Sequence, residues 1–186
     1  MNQTTNTRIT DVSSFARSDI YALYAEAFRG NVDNKEVLDM LSLPALPQSE
    51  EATAFISAFE PAVYDNACSL YEGSYATRDR SAVFEDLVRF YDYFGLARND
   101  DAELPDHVSV QLEFMHFLSF LENRASENSD DIAHIQRAQR DFLKKHLLPL
   151  STKIDEENNS KITTLKVLTQ NLKSYIQSDL ERLTQY

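Results

Sequence analysis

Three glycines and five prolines in 186 residues leave little punctuation for tight turns. A β-sandwich or barrel needs many such residues, whereas helices joined by short polar connections do not. Gly30, Gly73 and Gly95 are scattered, so no glycine-rich loop is available to cradle a phosphate. No serine stands in a glycine-flanked elbow, which excludes the usual nucleophile geometry of serine hydrolases. Cys68 is the single cysteine, so neither an intrachain disulfide nor a multi-cysteine metal site can form. A lone cysteine of this kind is expected to pack as a small buried hydrophobe, and it suits a reducing cytoplasm. Residues 1–19 contain no apolar run of a signal peptide, and no stretch approaches the ~20 apolar residues of a membrane span. Bases are also scarce. Eighteen Lys and Arg stand against 30 Asp and Glu, a formal net charge of −12. This argues against nucleic acid and anionic membranes as partners, since both demand a basic footprint. A cationic polypeptide would instead be attracted, over a screening distance of about 8–10 Å.

What the chain does have is helical periodicity. Hydrophobic residues make up 42%. Ile20, Leu23, Tyr24, Ala27 and Phe28 recur at amphipathic spacing, with Ser13 or Ser18 as candidate caps and Gly30 as a stop. Val37, Leu38 and Leu41 mark a short second helix from Asn34, closed by Pro44 and Pro47. Ser49-Glu50-Glu51 reads as the start of a third, carrying Phe55, Ile56 and Phe59 and ended by Pro61. Residues 64–80 read as an ordered, partly buried connection. Ser81 is the candidate cap of a fourth helix ending at Gly95, and residues 97–104 form a polar loop. After a fifth helix, a sixth carries Ile132, Ile135, Gln139, Phe142, Leu143, His146, Leu147 and Leu150, with Pro149 disturbing its last turn. Residues 151–160 read as a loop or frayed end before a last helix from Ile162 to Leu183. The expectation is an all-α, single-domain bundle of about seven helices over 1–186, with residues 1–12 as an arm.

The fifth helix should be the centre of the fold. Pro105 suits its first turn, and Asp106 would complement the positive end of its dipole. Apolar residues from Val108 to Leu121 cover most of its circumference. Its polar exceptions are Asp106, His107, Glu113 and His116. Glu113-Phe114-Met115-His116 is an E-x-x-H step, which di-iron bundles use twice with two further inward glutamates. Here it occurs once, so a metal-dependent enzyme is a minor alternative. The plainer expectation is that Glu113 and His116 share a stripe with Ser109 and Asn123 facing a groove or solvent.

Three segments resemble the TorD/DmsD/NarJ family of redox-enzyme maturation chaperones. Tyr71-Glu72-Gly73-Ser74-Tyr75 is similar to its aromatic loop. Asp86 through Phe90-Tyr91 to Gly95-Leu96 is similar to a helix ending in Phe-Tyr and then Gly-Leu. Leu104-Pro105-Asp106-His107-Val108 with Leu112-Glu113-Phe114-Met115 is similar to its Pro-Asp-His and Leu-Glu-Phe-Met signature. Phe142-Leu143-Lys144-Lys145-His146-Leu147 is a weaker fourth match, and the likeness runs from about Tyr21 to Leu150. The chain departs from the family in lacking a tryptophan after His146-Leu147 and in using Tyr71 where some members have Trp.

The resemblance implies a cytoplasmic, non-catalytic chaperone without a cofactor or metal of its own. Its partner would be the catalytic subunit of a molybdopterin oxidoreductase, held through an N-terminal leader of twin-arginine type while its cofactor is inserted. Such a chaperone is a monomer or a helix-swapped dimer. Carried onto this sequence, the leader-binding residues are Tyr71, Glu72, Tyr75, Pro105, Asp106, His107 and Glu113. Carboxylates at 72, 106 and 113 would accept guanidinium hydrogen bonds. Tyr71 and Tyr75 would stack on the same groups, and His107 would donate to a backbone carbonyl or steady Asp106. On this reading, replacing Asp106 and His107 weakens capture and leaves the helices intact. A helical assembly module for a different partner is the alternative.

Overall fold

The computed structural model describes residues 14–47, 53–97, 102–125 and 129–185. Among these the chain is all-helical, with seven continuous helices. In order they are α1 (Ser14–Ala27), α2 (Lys35–Met40), α3 (Ala54–Phe59), α4 (Arg80–Tyr93), α5 (Val108–Arg124), α6 and α8 (Thr163–Thr184). α6 begins at Ser129, passes through a π-turn at Leu143–Leu147, and continues as α7 (Leu148–Glu157) without a break. The expected arm at 1–12, Ser13, the helix start at 49–51 and part of the 97–104 loop lie outside the described residues.

α5 occupies the centre, as its apolar circumference requires. Val108, Leu112, Met115 and Leu118 are fully buried. α1 packs against it most extensively, α6 and the π-turn cover other sides, and α8 packs outside them against α6, the π-turn and α7. One hydrophobic cluster joins all of them, from Tyr21 of α1 and Phe28 just after it to Leu168, Leu172 and Ile176 of α8. No helix among the described residues is long and apolar enough to cross a membrane.

Local chemistry sets the boundaries and corrects several expectations. α4 is capped by Asp79, whose carboxylate accepts from the Ser81 N–H at 2.9 Å, rather than by Ser81. It ends in a Schellman motif: Gly95 at φ +74° donates to the Asp92 carbonyl and Leu96 to that of Tyr91. Ser18 does not cap α1. It lies inside the helix, buried, where its hydroxyl donates to the His116 carbonyl and its own carbonyl accepts from the His116 ring. α5 starts later than expected. Pro105 and Asp106 precede it, and His107 is its N-cap, with Nδ1 accepting from the Ser109 N–H at 3.2 Å. Pro149 does not end the sixth helix either. The π-turn just before it shifts the hydrogen-bond register, so the missing proline N–H is absorbed at a fresh first turn and residues up to Glu157 stay helical.

Candidate peptide-binding groove

The connection between α3 and α4 folds as a strap over the N-terminal end of α5. Cys68 and Leu70 anchor it in the core. Burial pushes the Cys68 thiol up to about 12, so it is an inert packing group, as expected. Tyr71 and His107 then form an isolated antiparallel bridge. Glu72 N–H donates to the Asp106 carbonyl and Val108 N–H to that of Leu70, both at 2.9 Å. The strap makes one 3-10 turn at Glu72–Ser74 and runs on to α4.

This junction uses most of the residues that the sequence assigns to ligand. The Asp106 carboxylate is fully buried and already partnered. Gly73 N–H donates to its Oδ2 at 3.0 Å, and the Arg80 guanidinium lies 3.4 Å from both oxygens. A Cβ at position 73 would stand 2.5 Å from Arg80 Cγ, so a larger residue there would push the Arg80 side chain away from its place beside Asp106. The guanidinium also sits 5.6 Å from the Tyr71 ring centroid. The chain's own arginine therefore makes the carboxylate and tyrosine contacts foreseen for a guest, and Asp106 is a fastener rather than an open acceptor. His107 is likewise structural. Its ring packs edge-on against Tyr71 at 4.8 Å, and burial holds its pKa below the ordinary value, against the opposing pull of Glu103 and Asp106.

Glu72 and Tyr75 are fastened too. The Glu72 carboxylate accepts from Gln111 Nε2 at 2.8 Å and from His146 Nδ1 at 3.0 Å. His146 is fully buried, turned inward by the π-turn and flanked by Phe90 and Phe142. It ties the strap to the sixth helix. Tyr75 donates its hydroxyl to the Ser69 carbonyl at 2.7 Å, within the strap.

Beside the junction lies an open groove of about 500 Å³. Its floor and walls are apolar: Val88, Tyr91 and Leu96 from α4 and its end, Pro105 before α5, and Val110, Phe114 and Phe117 along α5. Tyr91 is fixed by donating to the Pro105 carbonyl at 2.9 Å. Its rim is charged, with Asp92, Glu103 and Glu113 facing a single cation, Arg29, among the described lining residues. Of the seven foreseen site residues, Pro105 and Glu113 line this groove. Tyr71 reaches its edge by donating from its hydroxyl to Glu103 at 3.1 Å, and burial with that contact raises its pKa to about 12. Asp106, His107, Glu72 and Tyr75 stand behind it as supports.

Residue patterns did not single out Arg29, Glu103, Val110 or Phe117. Arg29 directly precedes Gly30, and that turn delivers it to Glu113, with which it forms an ion pair. The E-x-x-H step does not converge: Glu113 pairs with Arg29 and His116 with Ser18 of α1. No group of three metal-ligating side chains occurs among the described residues.

Fold and groove thus define an all-helical protein with an apolar, acid-rimmed cleft beside its central helix. The chain belongs to the family described as the nitrate reductase delta subunit, of NarJ/TorD type, whose model matches residues 25–154. It is 36% identical over 106 residues to the chlorate reductase assembly chaperone protein of Ideonella dechloratans, covering 56% of this chain and 55% of that protein. The selenate reductase assembly chaperone protein of Thauera selenatis matches with the same identity and coverage. The perchlorate reductase assembly chaperone protein of Dechloromonas aromatica (strain RCB) is 31% identical over 182 residues, covering 81% of each chain. The chain spans about half the length of the first two relatives.

Proposed function

We propose that this protein is a cytoplasmic assembly chaperone that holds the N-terminal leader of a molybdopterin oxidoreductase catalytic subunit during cofactor insertion, and that it performs no reaction itself. The groove carries this reading. Its apolar floor suits the apolar run of a leader, and its carboxylate rim suits the basic residues beside that run. The relatives named as reductase assembly chaperones support the same role. The residues in contact with the leader are Tyr91, Pro105, Glu113, Phe114 and Phe117, with Tyr71 and Glu103 at the edge. Asp106, His107, Glu72 and Tyr75 shape the wall behind them.

The test is capture from native cell extract, with the bound protein identified by mass spectrometry. The expected prey is an oxidoreductase catalytic subunit, and deletion of its leader abolishes capture. Prey of another class, or capture that survives leader deletion, overturns the reading and favours a general helical assembly module.

A further inference from the structure

The groove's cation sits on the groove's own acid. Arg29 and Glu113 both line the cleft and form an ion pair, each side chain 44% exposed. The pair stands at the open side of an apolar wall made by Val110, Phe114 and Phe117. Arg29 has a second carboxylate within reach, since its Nη1 lies 3.1 Å from Glu26 Oε2. Glu26 is in turn held by the Asn31 amide. Leaving Glu113 therefore does not strand the guanidinium, which keeps an acid partner and its water.

We propose that Arg29 is a resident competitor: an arginine of the guest polypeptide displaces it from Glu113, and binding is an exchange of one guanidinium for another. This rests on the groove being the polypeptide site proposed above. The exchange has two consequences. An apolar segment lacking arginine gains nothing from Glu113, because Arg29 keeps it. An arginine-bearing segment gains Glu113 only to the extent that its guanidinium is held there better than Arg29, so the resident cation sets a threshold for weakly basic sequences. Half-exposed ion pairs exchange readily, because solvent screens both the old and the new pair.

The probe is a synthetic peptide with two arginines followed by a leucine-rich run, alongside a version with both arginines changed to glutamine. Binding to the full chain is followed by fluorescence anisotropy. Arg29→Ala is expected to tighten the arginine peptide by about fivefold and leave the glutamine peptide unchanged, the scale of one half-exposed ion pair. Arg29→Lys falls between wild type and Arg29→Ala. Glu113→Gln is expected to weaken the arginine peptide by about five- to tenfold, and adding Arg29→Ala to it gives no recovery. Circular dichroism melts of each variant verify that the helices persist. If wild type binds the arginine peptide and Arg29→Ala binds it no better, the exchange is wrong while the groove stands. If wild type and Arg29→Ala both fail to bind either peptide, the groove reading falls and the exchange with it.

Discussion

α1 and α5 run against each other, and each meeting point near their ends has an arginine on the α1 side and a glutamate on α5. At one end Arg17 is sealed in. Its guanidinium donates to both oxygens of Asp179 at 2.8 and 3.0 Å, to Glu122 at 2.9 Å and to the Gln139 side-chain carbonyl at 2.8 Å. Tyr21 adds a donor to Asp179 at 2.8 Å. At the other end Arg29 meets Glu113 in the open groove. The residue types are the same, and the surroundings decide their roles. The sealed arginine joins α1 to α5, α6 and α8 and has no alternative partner in water. The open one has water and a second acid beside it. A buried charge fixes one packing, because breaking it leaves its partners desolvated; an exposed charge can change partners at little cost.

The largest expected effect is at the sealed end. Arg17→Met leaves the buried Asp179 and Glu122 carboxylates with Arg182 as their one remaining cation among the described residues, and it should cost about 3–5 kcal/mol of stability in urea unfolding. Its pH dependence is the sharper test. Burial alone pushes both carboxyls up, but Arg17 and then Arg182 hold Asp179 below the usual range, and the Gln136 and Gln139 hydrogen bonds, followed by Arg17, do the same for Glu122. In wild type these groups therefore contribute stability above the unfolded carboxylate pKa near 4, and that contribution is lost on further acidification. At Asp179, where Arg17 is the largest pull against burial, its removal lets burial dominate and the folded pKa rise above the unfolded one. Protonation then favours the folded variant, so the gap between the two proteins should narrow from pH 7 to pH 5. A gap that stays constant across this range would mean that the sealed pair is not what the mutation broke.

The strap junction comes next. Asp106→Ala removes the acceptor of Gly73 N–H and the buried partner of Arg80. It is expected to lower stability by about 1–3 kcal/mol, with a change in peptide affinity only through the displaced strap. Loss of peptide affinity at full stability would return Asp106 to the guest-binding set. His107→Asn keeps an N-cap acceptor but removes the titrating ring. Because His107 has a depressed pKa in the fold, wild type should lose stability as the pH falls below its unfolded value of about 6.5. The asparagine variant should be flatter between about pH 5 and 6.5, as read by denaturation midpoints at each pH.

The bundle was legible because its helices announce themselves by apolar spacing and sparse glycine, and α5 stood out as apolar nearly all round. The family likeness also lay in contiguous motifs. What those motifs could not reveal is which of their polar residues faces inward. Asp106 and Glu113 look alike on paper, yet Arg80 and the Gly73 N–H close one of them off and the groove exposes the other. That distinction depends on the strap, a contact between residues more than 30 positions apart in sequence. The role of His146 was hidden for a related reason. It lies in a helical stripe, and only the π-turn before Pro149 shows how it is directed at Glu72. Arg17 and Arg29 carried no local signal at all, since an isolated basic residue reads the same whether its partner is α8 or a groove.

The smallest effect should be at the open end, and its smallness is the point. Arg29→Ala and Glu113→Gln each remove a pair exposed to solvent on both sides, which is worth about 0–1 kcal/mol at moderate salt. Their denaturation midpoints should nearly coincide with wild type, and raising the salt should erase the residual difference because the pair is screened. Arg17→Met should keep most of its penalty at the same salt, since its charges are shielded from ions by α6 and α8. Equal salt sensitivity at the two ends would show that the chain does not separate a structural arginine from an exchangeable one. Unequal sensitivity, with only Arg29 and Glu113 responding, would leave the groove's charge free to be tuned for a guest without endangering the fold.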